Sequence, residues 1–239
     1  NLRLRCADRV LMILGEKECR TFEDLFQLVK SIEWEAFLPG DAKINVSGKC
    51  ARSQLMSIRD CQAITKKAII ERMKTVHKRS VFPETGVAYP IEIALHGDMA
   101  RLTLDTSGDA LNRRGYRTWN GEAPLRETLA AAIAQTARPR EDVLFWDPMC
   151  GSGTIAIEAA MILSNRAPGL GREFAAEKFP QLPAALWREA REEAEGKILR
   201  DAQFEVYASD IDDAILDVTY ENALRAGVEE HLNIFQADV

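Results

Sequence analysis

The chain has 239 residues, 46% hydrophobic and 28% charged, with a formal net charge of −6. That is an ordinary globular composition, long enough for one large domain or two medium ones. No stretch approaches the ~20 apolar residues of a membrane span and no signal-peptide pattern is present, so no membrane partner is expected. Five cysteines (Cys6, Cys19, Cys50, Cys61, Cys150) are scattered without a CxxC pair. They argue against a disulfide framework or a zinc site and fit a reducing, cytoplasmic setting; no metal is expected. His77, His96 and His231 are isolated and read as surface or packing residues. The chain opens on Asn1 and closes on the strand-like Phe235-Gln236-Ala237-Asp238-Val239, which suggests a piece of a longer protein.

In chain order, Val10-Leu11-Met12-Ile13-Leu14 reads as a strand, and Thr21 reads as an N-cap with Asp24 three residues on. Phe22, Leu25, Phe26, Val29 and Ile32 then form an apolar helical stripe that Pro39-Gly40 ends. Residues 43–48 alternate like a strand. A second amphipathic helix is predicted from Ser57 to His77, and 90–96 with 99–104 form a hairpin around Gly97-Asp98. Between Gly40 and Ser80 ten Lys or Arg face three acids, whereas Asp201 to Val239 holds ten acids and one Arg. Such segregation implies a basic contact face apart from an acidic region. The plain alternative is a solvated helix face.

Residues 105–121 carry three glycines and Arg113-Arg114 and read as a connector. The segment Ala123 to Leu129 is expected to start a helix with Pro124 near its first position, ending before Pro139. Val143-Leu144-Phe145-Trp146 is strand-like and runs into Asp147-Pro-Met-Cys-Gly-Ser-Gly-Thr154, after which an alanine-rich helix begins. Strand, glycine turn and helix present backbone N–H groups to a ligand, and Gly151 and Gly153 let the backbone approach it closely. A charged helix around Leu186 to Leu199 follows, and then two strands ending in acids: 204–210 at Asp210, and 232–238 at Asp238. The helix between them spans Asp212 to Arg225.

Gly151-Ser-Gly153-Thr-Ile-Ala156 fits the dinucleotide pattern only loosely. Its ribose-binding acid should lie about 20 residues on, yet no strand-ending acid appears before Asp210, 57 residues after Gly153. A P-loop motif is absent. S-adenosyl-L-methionine offers an ammonium, two ribose hydroxyls and an adenine amine. Carboxylates at successive strand tips (Asp147, Asp210, Asp238) complement all three, since an ionised carboxylate only accepts hydrogen bonds. The plain alternatives are a turn without a ligand, and acids serving as helix caps or solvated strand ends. Cys150 inside the turn reads as a packing residue rather than a nucleophile, and Glu127 and Glu158 as structural.

The stretches DPMCGSGTIAIEAAMI, GEAPLRETLAAAI, LTLDTSGDALNRRGYR and YASDIDDAI closely resemble bacterial THUMP-domain RNA methyltransferases. That group includes large-subunit rRNA guanine methyltransferases and is often labelled as N6-adenine-specific DNA methylases. The resemblance implies a small α+β THUMP-like RNA-binding domain over 1–104, a connector over 105–121 and a truncated α/β, Rossmann-like methyltransferase domain over 122–239. It places Asp147, Met149, Cys150, Gly151, Ser152, Gly153 and Thr154 along the methionine part of the cofactor. Asp210 would take the ribose, Asp238 the adenine amine, and Pro124 and Leu125 would close the pocket. Lys49, Arg52, Lys66 and Lys67 are the expected contacts to structured RNA, with 23S rRNA the expected partner.

Such enzymes orient the acceptor amine with an NPPY-like motif beyond the third acid. No such motif occurs in these residues, so no catalytic residue is assigned. The competing readings are adenine-N6 methylation of DNA, a non-catalytic RNA-binding module with a vestigial cofactor fold, and a nicotinamide-dependent enzyme.

Overall fold

A computed structural model describes residues 1–117 and 125–238. The chain divides into two compact units, neither continuous in sequence. One comprises Val10–Gly108 and Phe174–Pro183; the other comprises Asn1–Arg9, Asp109–Glu173 and Ala184–Val239. No local pattern marks the first nine residues, or Phe174–Pro183, as belonging to the more distant partner.

The first unit is built from β1 (Leu11–Glu18), α1 (Phe22–Ser31), β2 (Lys43–Ala51), α2 (Ile58–His77), β3 (Ala88–His96) and β4 (Met99–Asp105). Its four strands lie in the order β1-β4-β3-β2, with β2 and β3 parallel and the other pairs antiparallel. In β3, Tyr89, Ile91, Ile93 and Leu95 are buried at alternate positions, the period-2 signature of a strand with one face in the core. The capping box at the start of α1 is formed: the Thr21 side chain accepts from the Asp24 N–H, and the Asp24 carboxylate accepts from the Thr21 N–H. Ser57 caps α2 in the same way through the Asp60 N–H. The Trp34 indole is fully buried and donates to the Val29 carbonyl at 2.7 Å. From the 174–183 segment, Phe179 stacks on Tyr89 with ring centroids 4.7 Å apart.

The second unit holds α3 (Glu127–Ala137), β5 (Phe145–Asp147), α4 (Thr154–Leu163), α5 (Ala184–Gly196), β6 (Val206–Asp210), α6 (Asp213–Ala226) and β7 (Leu232–Gln236). Strands β5, β6 and β7 are parallel and adjacent in chain order, so α4 and α6 are the crossovers of successive βαβ units. The core joins Ala156, Ile157, Ala160 and Met161 of α4 to Val206, Ala208, Leu216 and Ala223. Ala130, Ala131 and Ala134 of α3 are also fully buried, small side chains that let α3 pack closely on α4. The first helical residue of α3 is Glu127, later than the expected start, and its cap is Arg126 without a side-chain bond. Pro124 lies outside the described residues.

Candidate functional site

The tips of β5 and β6 carry Asp147 and Asp210, and the turn from Pro148 to Gly153 runs between them into α4. This turn is built by bonds from distant residues. The Cys150 N–H donates to the Ser209 carbonyl at 2.9 Å, and the Gly151 N–H to Oδ2 of Asp210 at 2.9 Å. Thr219 and Asn222, both fully buried on α6, donate to the carbonyls of Gly151 (2.6 Å) and Ser152 (3.1 Å). Gly153 is the N-cap of α4 at φ +77°, a left-handed conformation suited to glycine. A Cβ placed there would lie 2.5 Å from Cγ2 of Thr219. Gly151 is also left-handed, at φ +51°, but a Cβ on it would meet nothing within 4 Å, so the turn faces open space at this residue.

Burial lifts the Asp147 carboxyl above its ordinary value, opposed by the Met149 N–H and reinforced by the charge of Asp210. Asp210 accepts from Gly151 at Oδ2 and from the Asp212 N–H at Oδ1 (3.1 Å), which leaves lone pairs on both oxygens for further donors. Asp212 is the N-cap of α6 and accepts from the Ala214 N–H. Met149 is 79% exposed and Ile211 65%, an unusual pair of large apolar side chains next to the two carboxylates. Cys150 is buried and its thiol is pushed up to about 11 by that burial, as suits a packing residue and not a nucleophile. Asp238 lies two residues past the end of β7 and is exposed, so it is not itself a strand tip.

Arg117, in the stretch read as a connector, donates from Nη2 both to Thr154 Oγ1 and to the Leu125 carbonyl, each at 2.7 Å. One guanidinium thus ties the entrance of α3 to the entrance of α4. Behind it Glu158 is fully buried between Arg114 Nε and the Tyr116 hydroxyl, both at 3.3 Å. Burial raises the Glu158 carboxyl, with Arg114 opposing. Glu158 and Glu127 (3.7 Å from Arg117 Nε) are therefore framework residues. Arg117, Ser209, Thr219, Asn222 and Ile211 escaped the sequence reading. The only cue was polar or apolar residues without a local partner.

The expected RNA contacts lie in the first unit, on β2, the following turn and α2. Lys49 pairs with Glu92 at 2.8 Å and Lys66 with Glu84 at 2.8 Å, so both are already neutralised. Arg52 follows β2 in a left-handed conformation at φ +51°, and its side chain is exposed. The Lys67 ammonium sits 6.0 Å from the Phe26 ring centroid, and Lys30 sits 5.6 Å from the same ring. The helix sequence alone shows no aromatic among its cations; α1 supplies one. Among the described residues no group of three or more His, Cys, Asp or Glu could hold a metal ion, and no helix is long and apolar enough to cross a membrane.

Residues 114–239 match the model of the RMKL-like methyltransferase domain, and residues 19–105 match the THUMP domain. The chain is 44% identical, over its whole length, to the "Putative RNA methyltransferase YpsC" of Bacillus subtilis, and spans 63% of that protein. It is 36% identical over 95% of its length to the ribosomal RNA large subunit methyltransferase K/L of Aliivibrio fischeri, spanning 33% of that protein. Among solved structures, a "predicted N6-adenine-specific DNA methylase" from Listeria monocytogenes superposes with a TM-score of 0.96 at 42% identity. SMU.472, "a putative methyltransferase complexed with SAH", superposes at 0.93 and 41%. Both matches cover 99% of this chain and 63% of the other. With more than half of its residues matched by one model, the chain belongs to the family of RMKL-like methyltransferase domains, with a THUMP domain ahead of that domain.

Proposed function

We propose that this chain is the cofactor-holding and RNA-gripping part of an S-adenosylmethionine-dependent RNA methyltransferase. Its target is the exocyclic amine of a base, guanine in 23S rRNA. The observation that carries the cofactor is the pair of carboxylates, Asp147 and Asp210, on adjacent parallel strand tips and flanking an open glycine turn. When bound, S-adenosylmethionine supplies a methyl group already activated on a sulfonium. The chain's own residues supply position and charge. Asp147 receives the ammonium, Met149 to Thr154 line the methionine part, and Asp210 offers its remaining lone pairs to the ribose hydroxyls. Asp238 reaches the adenine amine, and Leu125 with Pro124 closes the pocket from the side of α3. The SAH complex of SMU.472, a protein 41% identical, supports this choice over a nicotinamide.

RNA as acceptor is supported by the THUMP match and by the basic helix α2 with Phe26 beside Lys67. The name of the Aliivibrio relative supports a large-subunit target. The name of the Listeria neighbour favours the second reading, adenine-N6 methylation of DNA. A cytoplasmic enzyme follows from an RNA acceptor. The test uses the full-length protein, labelled S-adenosylmethionine, 23S rRNA stripped of modification, and unmethylated DNA, followed by nucleoside mass spectrometry. N2-methylguanosine in the rRNA is the expected product. Label in N6-methyladenine of DNA alone would establish the second reading, and label in neither would leave only a binding module.

A further inference from the structure

We propose that Cys50 and Cys61 form a redox modification site in the first unit, closed to a disulfide by peroxides and reopened by thiols. The inference is independent of the cofactor and acceptor readings above.

The pair follows from how α2 lies on β2. Ile44, Val46, Gly48 and Cys50 alternate on the less exposed face of β2. Cys61, Thr65, Ala68 and Ile69 belong to the buried side of α2. Gly48 sets the approach at this end: a Cβ on it would stand 3.2 Å from Cγ of Gln62 and 3.3 Å from Cγ2 of Ile58. With no side chain in the way, the first turn of α2 settles on β2. Cys61 Sγ then lies 4.0 Å from Cys50 Sγ, across a separation of 11 residues in the chain. Cys6, Cys19 and Cys150 make no such sulfur contact among the described residues.

The two thiols are not equivalent. Cys61 is fully buried, and burial, reinforced by Cys50, pushes its thiol up to about 12. Cys50 is half-buried and is the thiol that a small oxidant reaches. In the first step the Cys50 thiolate attacks one oxygen of hydrogen peroxide, the O–O bond breaks and hydroxide leaves, giving a sulfenic acid. That hydroxide takes up the proton that Cys50 has released. In the second step the Cys61 sulfur attacks the Cys50 sulfur, the S–O bond breaks, and the Cys61 proton leaves with the hydroxyl as water. Two thiols are thus oxidised to one disulfide while one peroxide is reduced to two waters. Burial slows the second step, because only about one Cys61 in 10⁵ is ionised at pH 7. Contact offsets this, since partners held together react at effective concentrations of about 10⁵–10⁸ M. The ring closed by the bond contains Arg52, one of the expected RNA contacts, so oxidation stiffens the loop that carries it. Transient disulfides of this kind serve as redox sensors in reducing compartments.

The test treats the full-length protein with hydrogen peroxide, then alkylates and digests it without reduction. Mass spectrometry should find peptides joined through Cys50 and Cys61, and dithiothreitol should release them. The oxidised protein should melt about 5 °C or more above the reduced one, because the bond joins sulfurs that the native fold already holds together. Cys61→Ser should instead accumulate a sulfenic acid on Cys50, trapped by dimedone, whereas Cys50→Ser should leave Cys61 unlabelled. Melting curves establish that these variants fold, and the wild-type peptide map decides the matter if they do not. Both thiols still free after an exposure that oxidises the exposed Cys6 would overturn the proposal. So would Cys50 carried to the sulfinic acid without a cross-link, or a cross-link that forms only after the protein has lost its melting transition.

Discussion

Gly153→Ala tests whether the glycine turn is held by the approach of α6 as the structure has it. Two costs add. An L-residue at φ +77° carries about 1–2 kcal/mol of backbone strain. The new Cβ would also stand 2.5 Å from Cγ2 of Thr219, well inside contact distance. Thr219 is fully buried, and its hydroxyl is committed to the Gly151 and Ile215 carbonyls, so it cannot rotate aside without dropping those bonds. Overpacking of this kind costs about 1–3 kcal/mol, for a total of about 2–5 kcal/mol against a typical stability of about 5–15. Thr219→Ser removes the clashing methyl and keeps the hydroxyl, at about 1 kcal/mol by itself. In the double variant the steric part should vanish, leaving a favourable coupling of about 1–3 kcal/mol. Urea unfolding of the four proteins measures the cycle. Additive effects, or a Gly153→Ala loss under about 1 kcal/mol, would refute the packing argument.

The carboxylates give further checks. Asp210→Ala should weaken S-adenosylhomocysteine binding by about 1–3 kcal/mol, and unchanged affinity in calorimetry would remove Asp210 from the ribose. Because burial raises the Asp147 carboxyl, that group takes up a proton at a pH above its ordinary 3.8. Affinity for the ammonium-bearing ligand should fall as pH drops through that raised value, and a profile unchanged by Asp147→Asn would contradict the assignment. Glu158→Gln leaves Arg114 buried without its counter-ion and should cost about 3–5 kcal/mol in urea unfolding. The raised carboxyl binds its proton more tightly in the folded chain than in the unfolded one. Its contribution is therefore full below the unfolded value near 4.5 and is lost as pH rises through the higher native value. The variant should lack that slope. In the first unit, Lys67→Glu should weaken RNA binding and reduce its salt slope by about one. Lys66 is a poorer test, since reversing it sets two carboxylates together at Glu84.

What the sequence showed was local. Thr21 with Asp24 and Gly97-Asp98 at the hairpin each act within a few residues, and each forms as expected; Gly97 and Asp98 are both left-handed, at φ +58° and +65°. The glycine turn and its two strand-tip acids were legible for the same reason, because alternation and helix periodicity bracket them. The supports of that turn were not. Thr219 and Asn222 lie nearly seventy residues away, and nothing near them shows that their side chains are inward-facing donors. Residues 105–121 looked like a solvated connector from their glycines and arginines. Arg114 and Tyr116 are nonetheless buried, because Glu158 accepts from both and the distant carbonyls of Leu4 and Arg5 accept from Arg114. The start of α3 was misplaced because proline content suggested a first turn that the chain takes up only at Glu127.

The membership of Asn1–Arg9 in the second unit has a consequence for how the protein is made. Arg5 donates to the carbonyls of Met161 (3.0 Å) and Arg166 (2.7 Å), and its own carbonyl accepts from Arg114. During synthesis residues 1–9 emerge before these partners and must wait until the chain beyond Arg166 has followed. Closing an intervening loop on the order of 100 residues costs about 4 kcal/mol of chain entropy. That cost is smaller once β1 and β4 have paired, since Leu11 then lies opposite Asp105. Folding should proceed from residues 10–108 to the rest of the chain, with residues 1–9 locking last.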